Sequence, residues 1–197
     1  MIVHLNGWPG VGKLTIARLL AQRLQARLVD NHLLHDVAIR CTGINDPARW
    51  PLYETVRAVA YQVLADRPRS ETFVMTNALC LGAPREREAW RHVVALAEAR
   101  AVPLVPVVLE ADETALLARV QSPERRGRKL ADTAALAAMI RSDRLLKPDV
   151  PERLDLDTSA LGPEEATAAI EAHFSSLAAR GYLVPAGARH LTLADAP

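Results

Sequence analysis

One glycine-rich stretch constrains the fold of this chain more than any other. Gly7-Trp8-Pro9-Gly10-Val11-Gly12-Lys13-Leu14-Thr15 follows the apolar run Ile2–Leu5 and leads into a stripe of Leu14, Ile16, Ala17, Leu19, Leu20 and Leu24. The first run is short and stops at Asn6-Gly7, whereas the second repeats at helical spacing. The chain therefore opens as strand, loop and amphipathic helix. Glycines at 7, 10 and 12 allow tight turns that side chains would obstruct.

The rest of the chain repeats this alternation. Leu28-Val29 reads as a second strand stopping at Asp30, and Thr72–Met75 as a third stopping at Thr76-Asn77. Leu104–Leu109 is a fourth, bounded by Glu110, and Leu154–Leu156 a fifth, ended by Asp157-Thr158-Ser159. Trp90, Val93, Val94, Leu96 and Ala97 predict a helix over 84–100, and Leu116, Leu117 and Val120 one over 112–120. Gly162-Pro163-Glu164-Glu165 opens a last helix reaching about Arg180, with proline and acids in its first turn, where the helix dipole favours negative charge. This succession predicts an α/β fold with a mostly parallel sheet covered on both faces. Its ligand site would lie at the carboxyl ends of the strands, where the polar residues gather.

Composition narrows the class. With 197 residues, 50% of them apolar, and a formal net charge of +1, the chain can bury one compact domain and lacks the basic field that nucleic acid or an anionic membrane would need. The amino terminus runs into the first strand without a basic leader, and no apolar run approaches the roughly 20 residues of a membrane span. The expectation is a cytoplasmic protein, monomer or homodimer. Cys41 and Cys80 stand apart without CxxC spacing, which suggests neither a zinc site nor a disulfide framework. Lysine occurs only at Lys13, Lys129 and Lys147, and the arginine and alanine bias lowers the weight of any single arginine.

The loop carries the most specific chemistry. Its glycines bring backbone N–H groups towards phosphate oxygens, the following helix adds its positive dipole end, and Lys13 supplies a mobile cation. Gly7, Pro9, Gly10, Val11, Gly12, Lys13, Leu14 and Thr15 are thus candidate nucleotide contacts. The string meets the GxxxxGK portion of the Walker A pattern, but Leu14 stands where a hydroxyl normally ligates magnesium and Thr15 comes one residue later. The alternative is a glycine-rich turn that binds nothing.

Gly7–Thr15 resembles the GxPGxGKxT loop of adenylate kinases and related small kinases. Similarity to the P-loop small-molecule kinases, the group of nucleoside-monophosphate, shikimate and gluconate kinases, extends to the helix after Ser159. It implies a single three-layer α/β domain over 1–197: a five-stranded parallel sheet in the order 2-3-1-4-5, helices on both faces, and a lid. It also implies ATP and Mg2+ as cofactors and phosphate transfer to a small acceptor: a sugar acid, a nucleoside or nucleotide, or an antibiotic. In adenylate kinases the residue before the threonine is glycine and the magnesium is held by phosphates and water. No direct protein ligand is therefore implied here, with Thr15 or Asp30 nearby. A second reading is a regulatory or toxin-system protein that uses ATP as a switch.

Asp30-Asn31-His32-Leu33-Leu34-His35 resembles the acidic stretch after the second strand of gluconate and shikimate kinases, with His32 in place of the second acid. The resemblance assigns Asp30 a place near metal and acceptor, and histidine at 32 is able to accept a hydroxyl proton near neutral pH. The alternatives are a helix cap at Asp30 and partly exposed helix residues at His32 and His35. The resemblance implies an acceptor-binding insertion over about 31–70, with Arg57 a candidate for a carboxylate or phosphate and Asn77 a further acceptor contact; the alternatives are a solvated helix face for the arginine and an ordinary turn residue at Asn77.

Arg119 and the run Ser122-Pro123-Glu124-Arg125-Arg126-Gly127-Arg128-Lys129 resemble the arginine-bearing lid of those kinases, about 119–132, and Arg125 and Arg128 are candidates to stabilise charge on the transferred group. An exposed basic loop is the alternative. Asp157-Thr158-Ser159 resembles the turn that borders adenine, which brings Arg119, Thr158 and Ser159 into the nucleotide set; it also reads as an ordinary strand-to-helix turn. Glu110 has the look of a Walker B carboxylate, but its place before the lid helix favours a plain strand terminus.

Overall fold

The computed structural model describes residues 1–121 and 133–183. Its elements are β1 (Ile2–Gly7), α1 (Lys13–Arg23), β2 (Arg27–Asp30), α2 (Asn31–Thr42), α3 (Arg49–Ala65), β3 (Phe73–Thr76), α4 (Pro84–Arg100), β4 (Leu104–Glu110), α5 (Glu113–Val120), α6 (Thr133–Ser142), β5 (Leu154–Asp157) and α7 (Pro163–Ala179). The five strands form one parallel sheet in the order β2-β3-β1-β4-β5. That is the order expected from the resemblance.

Alternation along the buried strands splits the core between two faces. Val3, Leu5, Val105 and Val107 pack with Ile16 and Leu20 of α1, Leu116 of α5 and Ile170 and Phe174 of α7. Ile2, Phe73, Met75 and Leu104 pack with Tyr61 and Leu64 of α3 and Trp90, Val93 and Leu96 of α4. Pro106 sits inside β4 without breaking it, because β5 joins β4 only from Val107 onward and the missing N–H falls where no partner strand needs it.

Several boundaries differ from the sequence expectation, each for a local reason. β1 continues past Leu5, since Asn6 and Gly7 still pair with Val108 and Leu109 of β4. β3 takes in Thr76, whose register partners are Leu5 and Asp30. The 31–70 segment is two helices. α3 carries Pro51 in its first turn, where a missing N–H costs little, and buries Tyr53, Arg57, Tyr61 and Leu64 as one stripe. No helix among the described residues is long and apolar enough to cross a membrane.

Two buried polar groups hold this frame. Arg100, at the end of α4, donates to the carbonyls of Leu64 (2.5 Å), Arg67 (3.0 Å), Pro68 (2.8 Å) and Glu71 (3.0 Å) and lies over the Phe73 ring. It closes the chain between α3 and β3. His4, in mid-sheet against Trp90, donates through Nε2 to Asn77 Oδ1 at 3.0 Å. Burial pushes its pKa down to about 4 against the smaller opposing pull of the Asn77 hydrogen bond.

Arg100→Met removes four carbonyl partners from a buried site and is expected to lower the unfolding free energy by about 3 kcal/mol in urea titrations. A loss below about 0.5 kcal/mol would contradict this role. For His4 the folded pKa lies below the unfolded value, so the unfolded chain binds the extra proton. Stability is complete above about pH 6.5 and falls by up to about 3 kcal/mol as the pH drops towards 4. His4→Gln should flatten that part of the stability–pH curve; an unchanged slope would assign it to other groups.

Candidate functional site

Two backbone constraints shape the loop between β1 and α1. A Cβ at Gly7 would collide with the carbonyl oxygen of Leu109 on β4, so glycine allows the two strands to stay paired up to the turn. Gly12 is the N-cap of α1 in a left-handed conformation, φ 96°, with no side-chain cap and no acid in the first turn. The first N–H groups of α1 are thereby presented to the loop. Buried Val11 donates through its backbone N–H to Trp8 O at 3.2 Å and fixes the curve. Pro9 and Gly10 form the part between, with Gly10 at φ 96°. Lys13 folds back, its Nζ donating to the carbonyls of Gly7 at 2.5 Å and Trp8 at 2.9 Å. Leu14 is partly buried and Thr15 is on the exposed face of α1.

On the β4–β5 side, Arg119 of α5 ties the loop to the turn after β5. One of its terminal nitrogens lies 3.5 Å from Val11 O and 3.2 Å from Thr158 Oγ1, and the other donates to Thr158 O at 2.6 Å and Ser159 O at 3.4 Å. Thr158 also donates to Glu110 O, and Ser159 donates to Asp157, holding that carboxyl below the usual carboxylate range. Arg119, Thr158 and Ser159 are thus gathered beside the loop. Glu110 pairs instead with Lys147 at 2.7 Å, as befits a strand terminus.

On the β2–β3 side, Asp30 ends β2 and caps α2. Its Oδ1 accepts from His32 N at 3.1 Å and from Thr76 Oγ1 at 2.9 Å. No donor among the described residues occupies Oδ2. His32 itself is exposed on the first turn of α2. Beyond it stands a ring cluster: His35 lies 5.0 Å from Trp50 and 4.5 Å from Tyr53, whose hydroxyl donates to Asn31 Oδ1 at 2.7 Å. Arg49 and Arg85 place their guanidinium carbons 4.5 and 4.1 Å from the Trp50 ring centre. Burial first, then the Arg49 charge, holds His35 below its ordinary pKa.

A third group joins these halves. Asn6, immediately before the loop, donates to Leu79 O at 3.0 Å and Leu146 O at 2.9 Å and accepts from Leu79 N at 2.7 Å. The segments it holds pair with each other through Leu81 N to Arg144 O and Leu146 N to Leu79 O. The chain after β3 and the chain after α6 are therefore fastened to the root of the loop. Cys80 lies within this bridge, its thiol pushed up to about 12 by burial and then by the Glu86 and Asp143 carboxylates, while Cys41 on α2 is exposed.

The structure thus brings Asp30, His32 and Asn77 to one end of the sheet with the loop, Asn77 being buried with its Oδ1 taken by His4. Arg57 is not among them. It is buried on α3, one turn beyond Tyr53, and opens towards α4. Arg125 and Arg128, with residues 122–132 of the expected lid, lie outside the described residues. Sequence reasoning missed Arg85 and His4 and took Asn6 and Thr76 only as strand ends. Arg85, at the start of a helix after a strand end, carried a positional signal; His4, within an apolar strand, carried none.

A family model described as an AAA domain (AAA_33) matches residues 2–146. Cytidylate kinase of Corynebacterium efficiens is 28% identical over 165 residues, spanning 81% of this chain and 70% of that protein. A gluconokinase structure from Sinorhizobium meliloti 1021 superposes with a TM-score of 0.61 at 20% identity, covering 91% of this chain and 94% of that one. Shikimate kinase from Acinetobacter baumannii, in complex with shikimate, gives 0.56 at 18% identity, with 89% and 93% covered. These likenesses agree with the strand order and the loop in giving the fold of P-loop small-molecule kinases. The chain belongs to the AAA domain family.

Proposed function

We propose that this protein transfers the γ-phosphate of ATP to a small acceptor held between α2, α3 and the chain after β3. One observation carries the reading: the Asp30 carboxylate is fixed through Oδ1 by Thr76 and His32 N, with Oδ2 left for a ligand, at the same end of the sheet as the glycine loop. Asp30 and the loop are separated by β3, so two inter-strand spacings, about 10 Å, lie between them. That span accommodates the end of a triphosphate and an acceptor hydroxyl in line.

The residues fit ATP. The uncapped first turn of α1 and the left-handed Gly12 form an anion cradle, and Lys13 is already held at its mouth. Bound ATP supplies an activated phosphoryl group. The backbone N–H groups of Gly10, Gly12 and Lys13 would hold the phosphates, and Lys13 would exchange its carbonyl partners for the outer ones. Arg119, Thr158 and Ser159 border the base. Asp30 Oδ2 would take the acceptor proton or orient hydrated magnesium, with Thr15 a second nearby oxygen for its water shell. Arg125 and Arg128 are proposed to neutralise the moving charge.

The acceptor side favours an anionic molecule. Arg49 and Arg85 lie over Trp50; Arg49 already donates to Ile44 O, whereas the Arg85 guanidinium has no acceptor among the described residues and keeps its N–H edges for a carboxylate or phosphate. Gluconokinase, shikimate kinase and cytidylate kinase are names for enzymes whose acceptors are acids or nucleotides, so a sugar acid or nucleotide suits this pocket better than a neutral antibiotic.

Calorimetry with and without magnesium, followed by an ADP-release assay over a panel of sugar acids, nucleotides and antibiotics, tests the reading. Lys13→Ala should weaken ATP binding by about tenfold or more. Asp30→Asn should keep ATP affinity and lower acceptor-stimulated kcat by about 10²- to 10⁴-fold. ATP affinity unchanged in Lys13→Ala would sink the loop assignment. Tight ATP binding without acceptor-stimulated turnover would favour the nucleotide switch.

A further inference from the structure

α3 and α4 enclose a groove of about 730 Å³ that shares no residue with the glycine loop, Asp30 or the Trp50 cluster. Arg57, Tyr61, Glu54, Glu88, His92 and Leu96 are among the residues that line it. Arg57 is 5% exposed and Tyr61 9%, so both side chains are nine-tenths buried or more. The Arg57 guanidinium packs 5.2 Å from the Tyr53 ring centre, but it has no hydrogen bond or ion pair with any described residue. The Tyr61 hydroxyl likewise has no hydrogen bond to a described residue.

Arg100 shows what a structural buried arginine looks like in this protein, with four carbonyls receiving its N–H groups. Arg57 has comparable burial and no such acceptors. None of its nitrogens is sealed off without a partner, so its unclaimed donors open into the groove. Tyr61, one turn on, adds an O–H donor that burial keeps protonated. Glu88 is already engaged by Arg91 at 2.8 Å. Glu54 and Glu88 at the lining disfavour a polyanion and offer acceptors for a hydroxyl or ammonium on the same ligand.

We propose that the α3/α4 groove is a second ligand site, for a small carboxylate- or phosphate-bearing molecule whose oxyanion is received by Arg57 and Tyr61. The site is placed to act as an effector site. Arg57 touches Tyr53, and Tyr53 donates to Asn31, the neighbour of Asp30, so occupancy of the groove and the setting of the acceptor pocket bear on one another.

The test uses the full chain carrying Lys13→Ala, so that the glycine loop does not compete for phosphate, and reads backbone amide shifts by NMR during separate titrations with inorganic phosphate and with acetate. Saturable shifts in α3 and α4 with either probe are expected, and the stronger of the two identifies the oxyanion preferred. Arg57→Gln should weaken that binding about tenfold and Tyr61→Phe about threefold. Ala58→Trp, at an exposed lining position, should block it without touching the buried pair. Absence of saturable shifts in α3 and α4 with both probes overturns the proposal, as does binding that survives Ala58→Trp unchanged. No turnover enters the readout, so either result leaves the phosphotransfer reading to its own test.

Discussion

The close approach of Gly7 to the Leu109 carbonyl is the contact on which the site depends. Because no side chain stands between them, β1 stays hydrogen-bonded to β4 until the chain turns, and the loop begins at a fixed height above the sheet. α1 then starts at Gly12 with its first N–H groups uncapped, and everything that borders the loop is measured from the same two strands. Arg119 and the Thr158 turn approach from the β4 side; Asp30 and Thr76 approach from the β3 side.

Around that contact the polar groups of the core do positional work that apolar packing cannot. Asn6 lies beside Gly7 and fastens two loops that are far apart in sequence, through the Leu79 and Leu146 carbonyls and the Leu79 N–H. His4 orients Asn77 in the same layer. These bonds are directional, so they set where the loops lie as well as whether the protein folds.

The strands, most of the helices and the nucleotide side were legible in the sequence because their signals are local. Apolar runs bounded by Asp30, Asn77 and Glu110, and glycines at fixed offsets before Lys13, need no knowledge of distant residues. Arg119 could be placed beside Thr158 and Ser159 through family resemblance alone. The acceptor side was less legible for a physical reason: its geometry comes from pairs such as His35 with Trp50, and Trp50 with Arg85, that only the packing of α2, α3 and α4 brings together. Arg57 shows the limit most plainly. Its segment suggested an acceptor contact, but the stripe it shares with Tyr53, Tyr61 and Leu64 turns it towards α4. The bonds of Asn6 and Arg100 to backbone carbonyls leave no pattern at all, since any residue supplies a carbonyl.

The contrast between the two cysteines has a practical side. Burial and neighbouring carboxylates keep Cys80 in its unreactive thiol form inside the bridge after β3, whereas Cys41 is exposed near the end of α2. Under mild labelling a maleimide fluorophore or spin probe will therefore attach at one native position, on the helix that Asp30 caps. The unmodified protein thus carries its own handle for watching the acceptor side respond to ligands.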